Sequence, residues 1–178
     1  MRVITGTARG MTLRTLEGDN VRPTTDKVKE AVFSAIQFEI EGRRILDLFA
    51  GSGQLGIEAL SRGAKEAVFV DADKNAVKIV KENLAKTKLD SLATVAQTDS
   101  IAYLTMTDTI FDIAFVDPPD ETGLLQKAMA KIDDHIAQGG VVICEHPFKE
   151  ELDDEIGGLK KHREYKYSKT AVTVYRKD

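Results

Sequence analysis

The sequence predicts an α/β fold, a doubly wound and mostly parallel sheet with helices on both of its faces. Short apolar runs alternate with helical segments along the chain, as βαβ units require. The first run, 44–49, passes into a glycine turn and then into a helix. Residues 165–175 indicate a hairpin with an antiparallel strand near the C-terminus, and residues 1–20 indicate a small N-terminal β-hairpin. We expect one Rossmann-like core over 23–178, with the hairpin as an extension.

Apolar spacing and helix caps locate the remaining elements. Thr24 or Thr25 is expected to cap a first helix, whose apolar positions recur at helical spacing in Val28, Ala31, Val32, Ala35 and Ile36. Further helices are predicted over 54–62, 74–86 and 123–137. Further strands are predicted over 67–70, 93–96, 111–116 and 141–145.

The turn after the first strand has the pattern of a nucleotide-binding crevice. Gly51-Ser52-Gly53 follows Asp47-Leu48-Phe49-Ala50 directly. A Cβ atom at either glycine would hold the backbone away from a ligand, and such turns often require φ > 0. Asp71 ends the next strand about 20 residues after Gly51, the separation expected for an acid that accepts hydrogen bonds from ribose hydroxyls.

The glycines alone do not identify the nucleotide. Gly51 to Gly56 also matches the G-x-G-x-x-G pattern of dinucleotide enzymes. Asp47 argues for a different ligand, because its charge would repel a pyrophosphate and attract the ammonium group of S-adenosylmethionine. The alternative is that Asp47 only holds the turn by accepting backbone hydrogen bonds.

A second strand-exit motif, Asp117-Pro118-Pro119, predicts a site for an amino group. The prolines fix φ and favour extended geometry before them, so the Asp117 carboxylate and the Pro118 carbonyl can be aimed into the crevice. An exocyclic amino group of guanine or adenine is a weak nucleophile, and two acceptors would stabilise the positive charge that develops as it attacks a methyl sulfonium. The simpler alternative is that the prolines only end a strand.

Together these segments resemble the bacterial 16S ribosomal RNA guanine-N2 methyltransferases of the RsmD type. The resemblance extends over Arg2-Val3-Ile4-Thr5-Gly6, Arg9-Gly10, 22–33 and 47–63. Its most discriminating part is Arg22-Pro23-Thr24 at a helix start. The resemblance implies a class I methyltransferase fold, S-adenosylmethionine as cofactor and methylation of N2 of one guanine, of the guanine-966 type. The implied partner is 16S rRNA in the small ribosomal subunit or its assembly intermediate.

The resemblance also implies a set of site residues. The candidate cofactor-binding residues are Asp47, Phe49, Gly51, Gly53, Asp71, Ala72, Asp99, Ser100 and Asp117. The candidate catalytic residues are Asp117, Pro118 and Pro119. The candidate RNA-binding residues are Arg2, Arg9, Arg22, Thr24 and Lys27.

One position departs from the family pattern. The family places Tyr or Phe after Asp-Pro-Pro, where the ring stacks on the target base, and this chain has Asp120. Stacking contributes roughly 1–3 kcal/mol per base, so its loss would weaken base positioning more than methyl chemistry. Phe148 is a candidate substitute, although we expect it to be an ordinary packing residue.

The charge is divided unevenly along the chain. The net charge of −4 separates into +2 for residues 1–30, −11 for 31–158 and +5 for 159–178. Basic residues of both ends would form a phosphate-contacting surface if the fold gathered them at the crevice, and otherwise they are ordinary solvated charges. These residues are Arg2, Arg9, Arg14, Arg22, Lys160, Lys161, Arg163, Lys166 and Lys169.

Composition narrows the class of protein further. A chain of 178 residues can bury a core without disulfides or metals. The one cysteine, Cys144, lies in an apolar run, which predicts a buried thiol, and without a signal peptide we expect a cytoplasmic protein. No apolar run is long enough to span a membrane, and the three histidines lack ligand spacing, so we expect no metal. Nothing suggests an obligate dimer, and we expect a monomer.

Three other functions remain open from the sequence. An amino methyltransferase could act on another nucleic acid such as DNA adenine, although the chain leaves no room for a target-recognition domain. Asp120 suggests a catalytically silent assembly factor that binds cofactor and RNA. A nicotinamide oxidoreductase is the more distant alternative.

Overall fold

The computed structural model describes residues 1–17 and 25–178 and confirms the predicted fold class. Within these residues the strands are β1 (Arg44–Asp47), β2 (Glu66–Asp71), β3 (Ala93–Gln97), β4 (Phe111–Val116), β5 (Ile136–Pro147), β6 (Glu155–Ile156), β7 (Leu159–Tyr167) and β8 (Thr170–Lys177). The helices are α1 (Asp26–Ala35), α2 (Gln54–Ser61), α3 (Lys74–Thr87), α4 (Ser100–Met106) and α5 (Leu124–Ile132).

All the strands join one sheet in the order β3-β2-β1-β4-β5-β8-β7-β6. The pairs from β3 to β5 are parallel, and β8 runs antiparallel to both β5 and β7. One buried cluster joins α1, α2 and α3 to the first face of the sheet, through residues such as Phe33, Ile57 and Val80. A second cluster joins α4 and α5 to the other face, through Leu104 and Leu125. Both faces of the parallel strands are therefore covered, as their continuous apolar runs require.

The prediction of a helix over 123–137 is wrong at its C-terminal end. Helix α5 ends at Ile132, and a 3₁₀ turn over Asp133–His135 leads into β5. Ile136 continues the helical spacing of the buried stripe but pairs instead with Phe111 of β4. The apolar spacing of Ile136 fits both states, so periodicity alone could not separate them.

Two further elements differ from expectation. Helix α4 was not predicted, because it has only seven residues and buries just Ser100 and Leu104. The N-terminal hairpin is short, with one antiparallel bridge between Arg2 and Thr12 and three backbone hydrogen bonds between its arms: Val3 N–H to Met11, Gly10 N–H to Val3 and Leu13 N–H to Met1. The remainder of that predicted hairpin includes residues 18–20, which lie outside the described residues.

A buried ion pair attaches the N-terminal segment to the core. Lys29 of α1 and Glu58 of α2 are both fully buried, with Nζ 3.1 Å from Oε1. Glu58 also accepts hydrogen bonds from the N–H groups of Ile4 and Thr5 and from Arg62. Burial alone would raise the pKa of Glu58, but these donors and the Lys29 charge lower it below its usual value.

We expect Lys29→Met to lower the free energy of unfolding by about 3 kcal/mol, because it removes one of the two cations that pair with the buried Glu58 carboxylate and leaves only Arg62. The substitution keeps the aliphatic stem, so the loss reports charge and not a cavity. Urea unfolding measures the difference. Lys78→Ala, on the exposed face of α3, should change the same quantity by no more than about 0.5 kcal/mol. If Lys29→Met lowered the free energy of unfolding no more than Lys78→Ala does, the buried ion pair would not be stabilising the fold.

Candidate active site

Parallel pairing brings three acids to one edge of the sheet. Asp47 at the end of β1 pairs with Phe69 of β2 on one side and with Phe115 of β4 on the other. Asp71 and Asp117 each lie two residues beyond these partners, about 7 Å further along the strand direction. The two strand-exit motifs of the sequence therefore lie side by side at the carboxyl edge of the sheet.

The glycine turn after β1 has the left-handed geometry that its sequence predicts. Gly51 and Gly53 have φ of 57° and 82°. The Gly51 N–H donates to Asp71 Oδ2 at 2.9 Å, and the Asp73 N–H donates to Asp71 Oδ1 at 2.9 Å. A carboxylate offers about four acceptor positions, so Asp71 retains capacity for a further hydrogen bond.

Asp47 is only 2% exposed and holds the turn from below. Its Oδ2 accepts the Gly56 N–H at 3.0 Å. Burial raises the pKa of Asp47 to about 7, the Gly56 hydrogen bond opposes this, and the charge of Asp71 adds to it. Burial also raises the pKa of Asp71. The turn-holding role of Asp47 is thus present, and it coexists with a second acid close enough to influence its ionisation.

The third glycine of the pattern serves packing. A Cβ atom added to Gly56 would lie 2.3 Å from Cε1 of Phe69, a separation that real Cβ atoms essentially never show. Gly56 therefore lets α2 approach β2 closely. This requirement exists whatever ligand the crevice accepts.

The remaining cofactor candidates surround the same strand ends. Phe49 is half-buried against the second cluster, and Ala72 is exposed directly after β2. Asp99 caps α4 by accepting the Ile101 N–H at 3.3 Å. The buried Ser100 hydroxyl donates to the Leu48 carbonyl at 2.6 Å, which ties α4 to the end of β1.

Asn83, which no sequence motif singled out, supports the turn from α3. Its side-chain amide donates to the carbonyls of Ser52 and Arg14, each at 2.9 Å, and its oxygen accepts the Arg14 N–H. Asn83 is 1% exposed. A polar side chain within the apolar stripe of an amphipathic helix was the available signal, because a buried amide must find partners.

The second motif borders a shallow depression at the end of β5. Asp117 is half-buried, Pro118 is buried, and Pro119 and Asp120 are exposed. Pro118, Pro119 and Asp120 line the depression together with Pro147, and none of the described lining residues is Phe, Tyr or Trp.

Phe148, which follows Pro147 directly, is 41% exposed and is not packed in the core as expected. Nζ of Lys166 lies 4.1 Å from the centroid of its ring.

The predicted RNA-binding residues are only partly described. Arg2 and Arg9 are exposed on the N-terminal segment, and Arg22 and Thr24 lie outside the described residues. The sequence predicts that Thr24 or Thr25 caps α1, and the cap is Thr25, whose hydroxyl accepts the Val28 N–H. Lys27 is exposed in the first turn of α1, with Nζ 5.9 Å from the centroid of the Tyr167 ring.

Several terminal basic residues are committed to ion pairs. Arg14 contacts Glu82 at 2.6 Å, Lys160 contacts Asp178 at 3.7 Å, and Lys161 contacts Asp154 at 3.4 Å. These three side chains are therefore already paired with acids, whereas the predicted phosphate-contacting surface needs them to be available to phosphates.

Other potential features are absent from the part of the chain that the structure describes. Across residues 1–17 and 25–178, every helix is too short or too polar to traverse a lipid bilayer. The same residues contain no cluster of three His, Cys, Asp or Glu side chains arranged to hold a metal ion. Cys144 is buried, and burial raises the pKa of its thiol.

Known proteins resemble this chain over nearly its whole length. The family model described as conserved hypothetical protein 95 matches residues 1–176. The Bacillus subtilis protein YlbH is 41% identical over 182 residues, covering 99% of each chain. The ribosomal RNA small subunit methyltransferase D of Escherichia coli is 32% identical over 180 residues, covering all of this chain and 90% of its own.

Solved structures agree with this relationship. The Escherichia coli protein yhhF matches with a TM-score of 0.91 and 31% identity, covering 100% of this chain and 98% of its own. An RNA methyltransferase from Salinibacter ruber in complex with S-adenosyl-L-homocysteine matches with a TM-score of 0.67 and 16% identity, over 87% and 93% of the two chains. The second match concerns the fold alone. By sequence and by structure, this chain belongs to the RsmD-type family of methyltransferases.

Proposed function

We propose that this chain transfers a methyl group from S-adenosylmethionine to the exocyclic N2 of a guanine in 16S rRNA of the small ribosomal subunit. The observation that carries the proposal is the parallel register that sets Asp71, Asp47 and Asp117-Pro118 next to one another at one sheet edge. Membership of the RsmD-type family and the name of the Escherichia coli relative support the RNA substrate. Such a reaction belongs in the cytoplasm, where ribosomal subunits assemble.

The residues of the crevice fit S-adenosylmethionine. The remaining acceptor capacity of Asp71 suits a hydroxyl of a ribose, and Asp47 would hold the ammonium group of the methionine part. Two neighbouring carboxylates disfavour a pyrophosphate, which argues against a dinucleotide. When bound, the cofactor supplies an electrophilic methyl group on a sulfonium.

The second motif would act on the nucleophile. Asp117 and the Pro118 carbonyl accept the two N–H bonds of the guanine amino group, which turns its nitrogen lone pair towards the crevice. The Asp117 carboxylate also stabilises the positive charge that develops on nitrogen. The rigid Pro118-Pro119 backbone fixes both acceptors, so that alignment contributes several kcal/mol of the barrier reduction.

Asp120 supports one competing function. It is exposed beside Pro119, where the family has a stacking ring, and this favours a catalytically silent protein that binds cofactor and RNA. Methylation of another nucleic acid, such as DNA adenine, uses the same motif. Both alternatives are outcomes of the following experiment.

The protein is incubated with labelled S-adenosylmethionine and undermethylated small ribosomal subunits, and the digested RNA is analysed by mass spectrometry. We expect N2-methylguanosine from the wild type and none from Asp117→Ala, because the variant lacks the charged acceptor. Cofactor affinity of Asp117→Ala, measured by calorimetry, should stay within about threefold of wild type. Near-normal turnover by Asp117→Ala would refute the role of the second motif. Cofactor binding by the wild type without any methylated nucleoside would overturn the proposal in favour of another nucleic-acid substrate or the silent alternative.

Asp71→Ala should weaken cofactor binding at least about tenfold, because a charge-assisted hydrogen bond is lost. Calorimetric titration with S-adenosylhomocysteine measures the change without turnover. The matched control is Asp108→Ala, an exposed acid between α4 and β4, which should leave the affinity unchanged. Equal affinities for both variants would exclude Asp71 as a ligand.

The affinity for the cofactor should increase with pH around neutrality if Asp47 holds its ammonium group. The raised pKa of about 7 leaves Asp47 largely neutral in acid, and only the carboxylate attracts a cation. The ionised fraction rises about tenfold from about pH 6 to about pH 8. The amine of the ligand also titrates, but it affects the wild type and Asp47→Asn equally. The affinity of the wild type should therefore rise about tenfold more than that of Asp47→Asn over this range. Parallel pH profiles for the two proteins would limit Asp47 to holding the turn.

A further inference from the structure

A groove of about 520 Å³ lies outside the crevice, between α1 and the β7–β8 hairpin. It occupies the sheet face that α1, α2 and α3 cover elsewhere. The polar and aromatic residues that line it are Ser34, His162, Arg163, Tyr165, Tyr167 and Arg176. No step of the proposed reaction uses this groove.

Two tyrosine rings form its floor. Tyr165 and Tyr167 are two residues apart on β7, so their side chains point to the same face of the sheet, with about 7 Å between their Cα atoms. Both side chains pack partly against the buried cluster and are partly exposed. Aromatic faces held in this way suit bases that are not stacked on one another.

Two basic side chains supply positive charge near the rings. Arg163 lines the groove, and Lys27 of α1 reaches the Tyr167 ring. Arg176 also lines the groove, but Glu39 balances its charge, with two contacts of 2.6 and 2.9 Å. None of the described residues that line the groove is acidic, although the chain as a whole has a net charge of −4. The groove is thus complementary to a polyanion.

One end of the groove reaches the edge of the sheet where the proposed chemistry occurs. Tyr167 pairs with Thr170, and Thr170 pairs with Pro147 at the end of β5. Strand β5 is the direct neighbour of β4, from which Asp117 and Pro118 emerge. A strand of nucleic acid could therefore pass from the groove to Asp117 without crossing the sheet.

We infer that this groove binds the single-stranded RNA segment next to the target guanine. The inference rests on the proposed function for the identity of the substrate. Bases stack on Tyr165 and Tyr167, and Arg163 and Lys27 contact the phosphates. A duplex is a poor occupant, because its bases are already stacked on one another and cannot lie on the rings.

Fluorescence anisotropy with a labelled single-stranded RNA oligonucleotide of mixed sequence tests the aromatic floor. We expect the double variant Tyr165→Ala/Tyr167→Ala to bind at least about tenfold more weakly than wild type. Tyr165→Phe/Tyr167→Phe keeps both rings and should bind within about twofold. Met106→Ala, which truncates a residue that is 70% exposed on α4 outside the groove, is the control and should bind like wild type. Unchanged affinity of the alanine variant would overturn the inference.

A charge variant covers the case in which loss of both rings disturbs folding. Arg163→Glu changes an exposed side chain, so the melting temperature should stay near that of wild type while RNA affinity falls and its dependence on salt becomes weaker. Ultraviolet cross-linking to small subunits should yield peptides of β7 joined to RNA. Peptides of β7 joined only to a ribosomal protein would overturn the inference in favour of a protein partner.

Methylation assays separate this inference from the proposed function. Weaker methylation of subunits by the alanine and glutamate variants, with wild-type cofactor affinity, supports both. Methylation of subunits at wild-type rates by these variants overturns the groove and leaves the proposed function intact. The wild type could also bind RNA through the tyrosine rings and yet methylate nothing. That result supports RNA binding in the groove and overturns the proposed function.

Discussion

The position of α1 depends on one carboxylate without access to solvent. Glu58 joins three segments, because it contacts Lys29 of α1, Arg62 after α2 and the N–H groups of Ile4 and Thr5. A buried charge that loses a partner is costly, so none of these segments can move away alone. Helix α1 is one wall of the tyrosine-lined groove and begins at the carboxyl edge of the sheet. The same ion pair therefore fixes the position of one wall of this groove.

This arrangement gives a physical meaning to the segments that carry the family resemblance. Lys29 lies in the stretch 22–33 and Glu58 in the stretch 47–63, so each supplies one half of the buried pair. The stretch 22–33 thus contributes to packing through Lys29, which links the N-terminal segment to the core. In the proposed function, the acids at the strand ends bind the cofactor and the nucleophile.

The sequence predicted those parts of the fold that local patterns determine. Buried parallel strands are continuous apolar runs, and Gly51 and Gly53 have the positive φ that their turn requires. Partners far apart in the chain were not predictable, and so the role of Asn83 and the pairing of Lys29 with Glu58 emerged only from the structure. The end of α5 was misplaced because Ile136 satisfies helical and strand spacing equally. Helix α4 was not predicted because its seven residues show too short an apolar pattern, and its cap Asp99 also fits a ligand contact.

The glycines of the G-x-G-x-x-G pattern meet two different requirements. Gly51 and Gly53 shape the turn at the crevice, whereas Gly56 allows close packing. Its missing Cβ accommodates the Phe69 ring, and this contact between α2 and β2 is needed before any ligand arrives. Asp71, by contrast, accepts the N–H groups of Gly51 and Asp73, so its substitution does not remove a partner of Gly56. A change of charge at the end of β2 would therefore leave the contact between Gly56 and Phe69 in place.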